Sequence, residues 1–200
     1  MDIKGTSFYH LHRLRQRVCQ YASTCMTISI AWLKGVGIGD GLACFGIPYF
    51  YRNPHSIITL GKNCSIRSSF RSNNIGSMCR TRICTQGPAA SIVIGDNVGM
   101  SSATITAHQS ITIGSDTMIG AGCVIVDSDW HSLSFNPIER HTQEGKTKPV
   151  VIGRNVFIST RCIILKGVHI GDNAIIGAGS VVTHDIPANA KAAGNPCRIL

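Results

Sequence analysis

The amino-acid sequence predicts an all-β solenoid, a parallel β-helix in which the chain winds into triangular coils. Between residues 152 and 182 isoleucine or valine recurs every six residues: Ile152, Ile158, Ile164, Ile170, Ile176 and Val182. A small or β-branched residue follows each of the first five by four positions: Val156, Cys162, Val168, Ala174 and Ser180. A period of six fits neither a helix nor a long alternating strand, but it fits short strands joined by tight corners.

The rhythm also extends upstream, with one long interruption. It is present at Ser91–Val98 and Ile111–Gly114 and stops after Ile125. Residues 127–149 are polar, contain two prolines and show no repeat phase, so they predict a loop that protrudes from the solenoid. Long excursions from a regular scaffold commonly carry function. After Val182 the repeat ends, and residues 183–200 form a predicted C-terminal tail.

The first 34 residues predict a separate unit, a partly helical cap or an interfacial segment. A basic stretch, Phe8–Arg17, precedes the apolar stretch Tyr21–Leu33, which is shorter than the roughly 20 residues that a bilayer span requires. Residues 35–200 form the predicted solenoid domain. Its early part is irregular, with Ser56–Leu60 and Cys64–Ile66 as candidate first coils.

Composition narrows the possible partners and compartment. Nine cysteines are scattered without a CxxC spacing, which favours reduced thiols in a cytoplasmic protein over disulfides or a zinc site. The net charge of +9 lies entirely in residues 1–82. This basic section could face an anionic membrane surface or a phosphate-bearing substrate, or it could be a solvated face. No nucleic-acid-binding motif is present, so we expect no nucleic-acid partner.

One histidine stands where the rhythm breaks, in the sequence Asp127-Ser128-Asp129-Trp130-His131. Histidine titrates near neutrality, so His131 could take the proton of an alcohol or amine that attacks a carbonyl. Asp129 or Asp127 could orient such a base. The alternative is an ordinary surface histidine.

Residues 91–200 resemble the hexapeptide-repeat acyltransferases, in particular the galactoside and maltose O-acetyltransferases and their relatives in polysaccharide biosynthesis. The resemblance is carried by residues 175–183, Asp185-Ile186-Pro187 and residues 192–196, which read Ala-Ala-Gly-Asn-Pro. It implies a left-handed β-helix and a homotrimer with active sites between subunits. It also implies an acetyl-CoA-dependent O-acetyltransferase in surface polysaccharide or lipopolysaccharide biosynthesis, which acts on a hydroxyl of a sugar or lipid-linked oligosaccharide acceptor.

The same resemblance assigns candidate catalytic and acceptor residues. His131 matches the general base of the family, and Asp129 matches an acidic position of its polysaccharide branch. Ser102 falls near an acceptor-binding asparagine of the family, and Asp127 and Trp130 flank the base as further candidate acceptor contacts. Serine in place of asparagine argues against a galactoside-like acceptor.

Five further residues match coenzyme contacts of the family. Thr160 matches a residue whose backbone N–H points at the thioester oxygen, and Ala178 lies along the pantetheine arm. Thr183 and His184 match a coenzyme-contacting Thr-Lys pair, in which His184 has lost the fixed charge of lysine. Arg198 matches a basic residue near the nucleotide phosphate. We expect Thr160, Ala178 and Thr183 to line one coenzyme groove.

Three alternatives remain open at the level of sequence. The acceptor could be the amine of a nucleotide-linked amino sugar, with Asp127 or Asp129 holding the ammonium. A zinc enzyme of the γ-carbonic-anhydrase type would need three converging histidines, for which His108, His131 and His141 are the candidates. We expect no metal, because the tail resembles a coenzyme-binding end. The third alternative is a non-catalytic β-helix.

Overall fold

The structure, a computed structural model, describes residues 3–75 and 79–200. Over these residues the chain forms a left-handed parallel β-helix whose three sheets are the sides of a triangular prism. Sheets A, B and C meet at three edges, which we call the AB, BC and CA corners. The fold class predicted from the six-residue repeat is therefore confirmed.

The strands, numbered along the chain, pass in turn through the three sheets. Sheet A contains β1 (Gly37–Ile38), β4 (Ile57–Leu60), β7 (Ser91–Ile94), β10 (Ser110–Ile113), β13 (Val150–Ile152) and β16 (His169–Ile170). Sheet B contains β2 (Ala43–Phe45), β5 (Ser65–Arg67), β8 (Gly99–Ser101), β11 (Met118–Ile119), β14 (Phe157–Ile158), β17 (Ile175–Ile176), β19 (Lys191–Gly194) and β20 (Cys197–Ile199). Sheet C contains β3 (Tyr49–Tyr51), β6 (Arg82–Thr85), β9 (Thr104–Ala107), β12 (Val124–Val126), β15 (Ile163–Ile164) and β18 (Val181–Val182).

The core consists of apolar columns that run along the prism axis. In sheet A one inward position is isoleucine in four successive coils, at Ile94, Ile113, Ile152 and Ile170, each at most 2% exposed. Because β-branched side chains pack well on a pleated surface, these columns favour the strand conformation. Each fully buried isoleucine contributes up to about 1.5–3 kcal/mol. The repeat positions Ile152 and Ile170 of the sequence belong to this buried column.

A ladder of polar side chains supports the AB corner. Asn63, Asn97, Asn155, Asn173 and Asn189 adopt left-handed backbone conformations with φ between 53° and 62°. Asparagine tolerates this region better than most side chains. The Nδ2 of Asn155 donates to the Oδ1 of Asn173 (3.0 Å), which in turn donates from its Nδ2 to Asn189 (2.9 Å). The corner is therefore stabilised by side-chain bonds between successive coils.

The N-terminal segment is a helix, α1 (Ile3–Leu33), and its C-terminal half packs on the first coil. The N–H of Cys44 in β2 donates to Thr24 Oγ1 (2.9 Å), and the N–H of Gly46 donates to Ser23 Oγ (3.2 Å). Helix α1 therefore covers this end of the solenoid. Over the described ranges, no helix has the length and apolar content to cross a membrane.

The solenoid is longer at both ends than the repeat indicates. Regular coils begin at Gly37, inside the stretch that looks irregular in the sequence. At the other end β19 pairs with β17 in parallel, and β20 returns antiparallel beside it. The predicted tail thus adds two strands to sheet B, which form one hairpin. The predicted protruding loop lies between β12 and β13 and carries one short helix, α2 (Pro137–Thr142).

Candidate active site

The protruding loop leaves the solenoid at the CA corner, where β12 in sheet C ends and β13 in sheet A begins. The same corner of the preceding coil holds His108 and Gln109, and that of the following coil holds Lys166. The last coil places Thr183 and His184 at this corner. Residues far apart in the sequence therefore form one column beside the loop.

Asp127 anchors the base of the loop. It is completely buried, and its two carboxylate oxygens accept the backbone N–H groups of His108 and Gln109, each at 2.7 Å. Its carbonyl accepts the N–H of Lys148 at the other end of the loop (2.9 Å). The carboxylate proposed as an acceptor contact is thus used to hold the preceding coil, because burial demands hydrogen-bond partners for it. The structure gives Asp127 a supporting role.

His131 is presented by a tight turn. Trp130 has φ = 66°, the Trp130 N–H donates to Ser128 Oγ (2.9 Å), and the His131 N–H donates to the carbonyl of Asp129 (2.8 Å). Gly145 lies against this turn from the other arm of the loop. A Cβ on Gly145 would stand 2.8 Å from both His131 O and Trp130 N. The turn is held by backbone contacts, and the side chain of His131 is exposed.

The carboxylate of Asp129 is paired with Lys166 and not with His131. Lys166 Nζ lies 2.6 Å from Asp129 Oδ1, and both side chains are at most 25% exposed. The other oxygen, Oδ2, is buried, and no described residue donates to it. The expected Asp129–His131 pair is therefore not formed in this structure. One oxygen of Asp129 therefore has no hydrogen-bond donor among the described residues.

Trp130 lies over the preceding coil. Its ring meets the ring of His108 edge-on, with centroids 4.9 Å apart and an interplanar angle of 83°. About half of the Trp130 side chain, 47%, stays exposed next to His131. Such a partly exposed aromatic surface is suited to contact with an organic ligand.

The candidate coenzyme residues fall into two columns. Thr160 and Ala178 occupy the BC corner, where Thr160 closes a groove of about 450 Å³ along sheet B that also contains Phe157 and Ser159. Thr183 and His184 lie at the CA corner, and Thr183 Oγ1 is 2.8 Å from His184 Nδ1. Strand β18 runs between Ala178 and Thr183, so one copy of the chain does not place these residues in one groove.

Arg198 and Ser102 also lie away from His131. Arg198 is exposed on β20 at the end of sheet B, and its Nη1 donates to the Cys197 carbonyl (3.0 Å). Ser102 is at the BC corner, 1% exposed, with φ = 46° and a buried hydroxyl that no described residue contacts by a hydrogen bond. A single copy therefore does not present the Ser102 hydroxyl to an acceptor beside His131.

The three histidines that a zinc enzyme would need do not converge. His141 lies in α2 within the loop, and His108 lies on the solenoid under Trp130. Within the described part of the chain, no group of three His, Cys, Asp or Glu side chains is placed to hold a metal ion.

Residues 149–184 match the family model described as Bacterial transferase hexapeptide (six repeats). This stretch therefore carries the hexapeptide repeat. Galactoside O-acetyltransferase of Escherichia coli (strain K12) is 40% identical over 100 residues, 48% of this chain and 46% of the relative. The Lactococcus lactis protein of the same name is 40% identical over 96 residues, 48% of this chain and 45% of the relative. The resemblance to this family is confirmed, and the match spans about half the length of these curated relatives.

Solved structures agree with the hexapeptide-repeat fold over a longer part of the chain. A variant of AntD, an N-acyltransferase from Bacillus cereus in complex with dTDP-4-amino-4,6-dideoxyglucose and coenzyme A, superposes with a TM-score of 0.66. The two chains are 17% identical, and the match covers 86% of each. At this identity the likeness concerns the fold alone.

Sequence reasoning missed two residues that support the protruding loop, Lys166 and Gly145. Lys166 follows β15, which pairs with β12, so the register between coils is the signal that could have placed it beside Asp129. Gly145 lacks such a signal, because its role depends on how the two arms of the loop fold against each other.

Proposed function

We propose that this protein is an acetyl-CoA-dependent O-acetyltransferase that acts on a sugar hydroxyl in the biosynthesis of a surface polysaccharide or lipopolysaccharide. The observation that carries the proposal is the exposed His131, held on a braced turn where the hexapeptide solenoid is interrupted. The likeness to galactoside O-acetyltransferases supports the reaction class and the co-substrate.

The proposed reaction is a direct transfer. A ring nitrogen of His131 takes the proton of the acceptor hydroxyl while the oxygen attacks the thioester carbonyl carbon. The tetrahedral intermediate collapses, the C–S bond breaks, and the imidazolium returns the proton to the coenzyme thiolate. The acceptor leaves as an acetyl ester and coenzyme A as a free thiol, so no acyl-enzyme is required.

Thr160 is the proposed donor to the developing oxyanion. No described residue accepts a hydrogen bond from the Thr160 N–H, which borders the sheet B groove. One well-placed donor of this kind contributes about 3–4 kcal/mol to transition-state stabilisation. Ala178 is proposed to flank the pantetheine arm along the same corner.

This chemistry requires more than one copy of the chain. His131 and Thr160 lie at opposite edges of sheet C, because β15 separates the BC corner from the CA corner. We therefore propose a homotrimer in which the CA corner of one copy faces the BC corner of the next. In that arrangement Thr183, His184 and Arg198 are candidate coenzyme contacts together with the neighbour's groove. Ser102 and Trp130 are candidate acceptor contacts.

A second acceptor class is favoured by one observation. Asp129 Oδ2 has no donor and is closed to solvent, and opening of the loop around it would let this carboxylate bind the ammonium of an amino sugar. N-acetylation of a nucleotide-linked amino sugar is therefore the alternative. The nine free thiols support a reducing, cytoplasmic environment for either reaction.

The proposal predicts that acetyl-CoA turnover with sugar acceptors depends on His131. Removal of a general base lowers the rate by about 10²–10⁴-fold, so His131→Ala should lose most turnover at unchanged folding. His141→Ala is the matched control, because it removes another exposed histidine of the same loop. A panel of matched hydroxyl and amine acceptors separates O- from N-transfer. Turnover that survives in His131→Ala contradicts the assigned base, and absence of acetyl-CoA binding favours a non-catalytic β-helix.

A further inference from the structure

Helix α1 presents a polar face to the solenoid. Thr27 and Ala31 are buried against it, and the hydroxyls of Ser23 and Thr24 accept backbone N–H groups of the first coil. The contact is made by small and polar side chains, so the usual apolar face of a packed helix is not what holds α1 in place.

The opposite face carries an apolar stripe with no partner in the described residues. Its members alternate at spacings of three and four, and all are exposed: Leu11, Leu14, Val18, Tyr21, Cys25, Ile28 and Trp32. At 3.6 residues per turn this spacing keeps them on one side of the helix, across from Thr27. Trp32 is 78% and Tyr21 75% exposed. We call this set the outer stripe.

Two cations of the helix, Arg15 and Arg17, flank the outer stripe. Residues 3–33 contain Lys4, Arg13, Arg15 and Arg17 and no aspartate or glutamate. By the same helical geometry Arg15 and Arg17 project from the two sides of the stripe. The ion pairs recorded among the described residues, Arg154–Asp116 and Lys166–Asp129, both lie outside α1.

A recess beside the helix adds to this positive surface. It has a volume of about 440 Å³ and lies between α1 and residues 69–72, with His12, Arg15 and Arg71 in its lining. Ser69 and Ser72 border it as well. Two arginines and hydroxyl groups are suited to an anionic headgroup.

We propose that α1 docks on an anionic lipid surface, with the outer stripe in the headgroup–acyl boundary and Arg15 and Arg17 at lipid phosphates. An interfacial helix has this combination of an apolar face, aromatic residues and flanking cations. A second copy packed in parallel fits the stripe less well, because its Arg15 and Arg17 would face those of the first copy, and neither helix has an acidic residue to pair with them. The stripe, from Leu11 to Trp32, would lie along about 30 Å of membrane surface. The proposal does not depend on the acyltransferase activity.

The test is flotation of the full chain with vesicles of phosphatidylcholine alone and of phosphatidylcholine mixed with phosphatidylglycerol. We expect binding to the mixed vesicles only, weakened by high salt. Arg15→Gln with Arg17→Gln, and separately Leu14→Ser with Val18→Ser, should each lower the vesicle affinity by about tenfold or more. Lys62→Gln with Lys191→Gln removes the same charge from exposed positions outside α1 and should bind as wild type.

Each other outcome overturns the proposal. Equal binding to neutral and anionic vesicles would show that the arginines do not contribute. Wild-type binding by both helix variants would show that α1 is not the element that binds lipid. Circular dichroism and thermal unfolding confirm that the exposed substitutions leave the fold intact. A third result would be that neither the wild type nor any variant binds vesicles, while Leu14→Ser with Val18→Ser changes the particle size in solution. The outer stripe would then contact another copy of the chain, and the lipid assignment would be wrong.

Discussion

At the scale of single residues, the ion pair of Lys166 and Asp129 determines the state of the carboxylate beside His131. Lys166 reaches Asp129 from the next coil at 2.6 Å, and both groups are largely removed from solvent. With Asp129 Oδ2 already unpaired, loss of Lys166 would leave both carboxylate oxygens without a partner. A buried hydrogen-bond acceptor without a donor lowers the stability of the folded state.

We predict that Lys166→Met lowers the free energy of unfolding by about 1–3 kcal/mol near neutral pH. Adding Asp129→Asn should restore part of the loss, because the neutral amide is cheaper to bury than an unpaired carboxylate. The measurement is urea denaturation of the two single variants and the double variant.

The exposed pair Arg154–Asp116 provides the control for this cycle. Its atoms are 3.7 Å apart and its side chains 71% and 43% exposed, so Arg154→Met should change stability by less than about 1 kcal/mol. Equal losses for Lys166→Met and Arg154→Met would contradict the special role of the buried pair.

At the scale of elements, the protruding loop depends on close contact between its two arms. Ser128 bridges to Thr147 and His131 to Glu144 in antiparallel fashion. Gly145 fits under the turn because it has no Cβ, and the three atoms that a Cβ would approach most closely are backbone. The orientation of His131 is therefore set by residues from the far side of the loop.

We predict that Gly145→Ala displaces the turn and lowers the turnover of the proposed reaction by about tenfold or more, since small misplacement of a base is costly. Thermal stability should change little, because the loop lies outside the core. Gly37→Ala is the control at the other end of the molecule, where the atom nearest the new Cβ would be the Thr59 methyl at 3.1 Å. Unchanged turnover in Gly145→Ala would show that the turn tolerates the methyl group.

The same scale explains which elements the sequence could predict. Ile152 pairs with Ile170 in the next coil, which is a short one. Ile113 pairs with Ile152, and the sequence separation of this pair is more than twice as large because the protruding loop lies between them. A fixed period is visible only where corners have constant length, so the late coils were predicted. Among the coils from Gly37 to Arg67, the sequence indicates only β4 and β5, predicted at Ser56–Leu60 and Cys64–Ile66, because longer corners hide the repeat. The interruption of the six-residue repeat is enough to locate His131. Contacts between coils, such as Lys166 with Asp129, can be predicted only when the register between strands of successive coils is known.

At the scale of the whole molecule, the separation of His131 from Thr160 has the largest consequence. The prism places them on different edges, so the assignments made from sequence describe one site only if copies of the chain associate. The sequence predicts one groove for Thr160, Ala178 and Thr183. In a single copy, however, strand β18 carries the chain from the BC corner of Ala178 to the CA corner of Thr183. Corner position could have been counted from the repeat, since Ala178 precedes β18 and Thr183 follows it.

Burial of thiols along the prism makes the fold sensitive to alkaline pH. Burial raises the pKa of Cys44, which lies under α1, from 9.0 to about 11, and it also raises the pKa values of Cys64, Cys84 and Cys197. Below pH 9 these thiols are protonated in both the folded and the unfolded chain. Above pH 9 the unfolded chain loses protons first, so the free energy of unfolding falls as pH rises.

We predict that Cys44 alone accounts for about 2–3 kcal/mol of the stability lost between pH 8 and pH 11, since each unit of pKa shift corresponds to about 1.4 kcal/mol. Cys44→Ala removes this titration, so its unfolding free energy should decline less steeply with pH, although it starts lower because a buried side chain is shortened. Urea denaturation at a series of pH values compares the slopes, and Cys19→Ala, which removes an exposed thiol of α1, should follow wild type. Parallel slopes for Cys44→Ala and wild type would mean that the Cys44 thiol ionises as readily in the folded chain as in the unfolded one, which its position beneath α1 argues against.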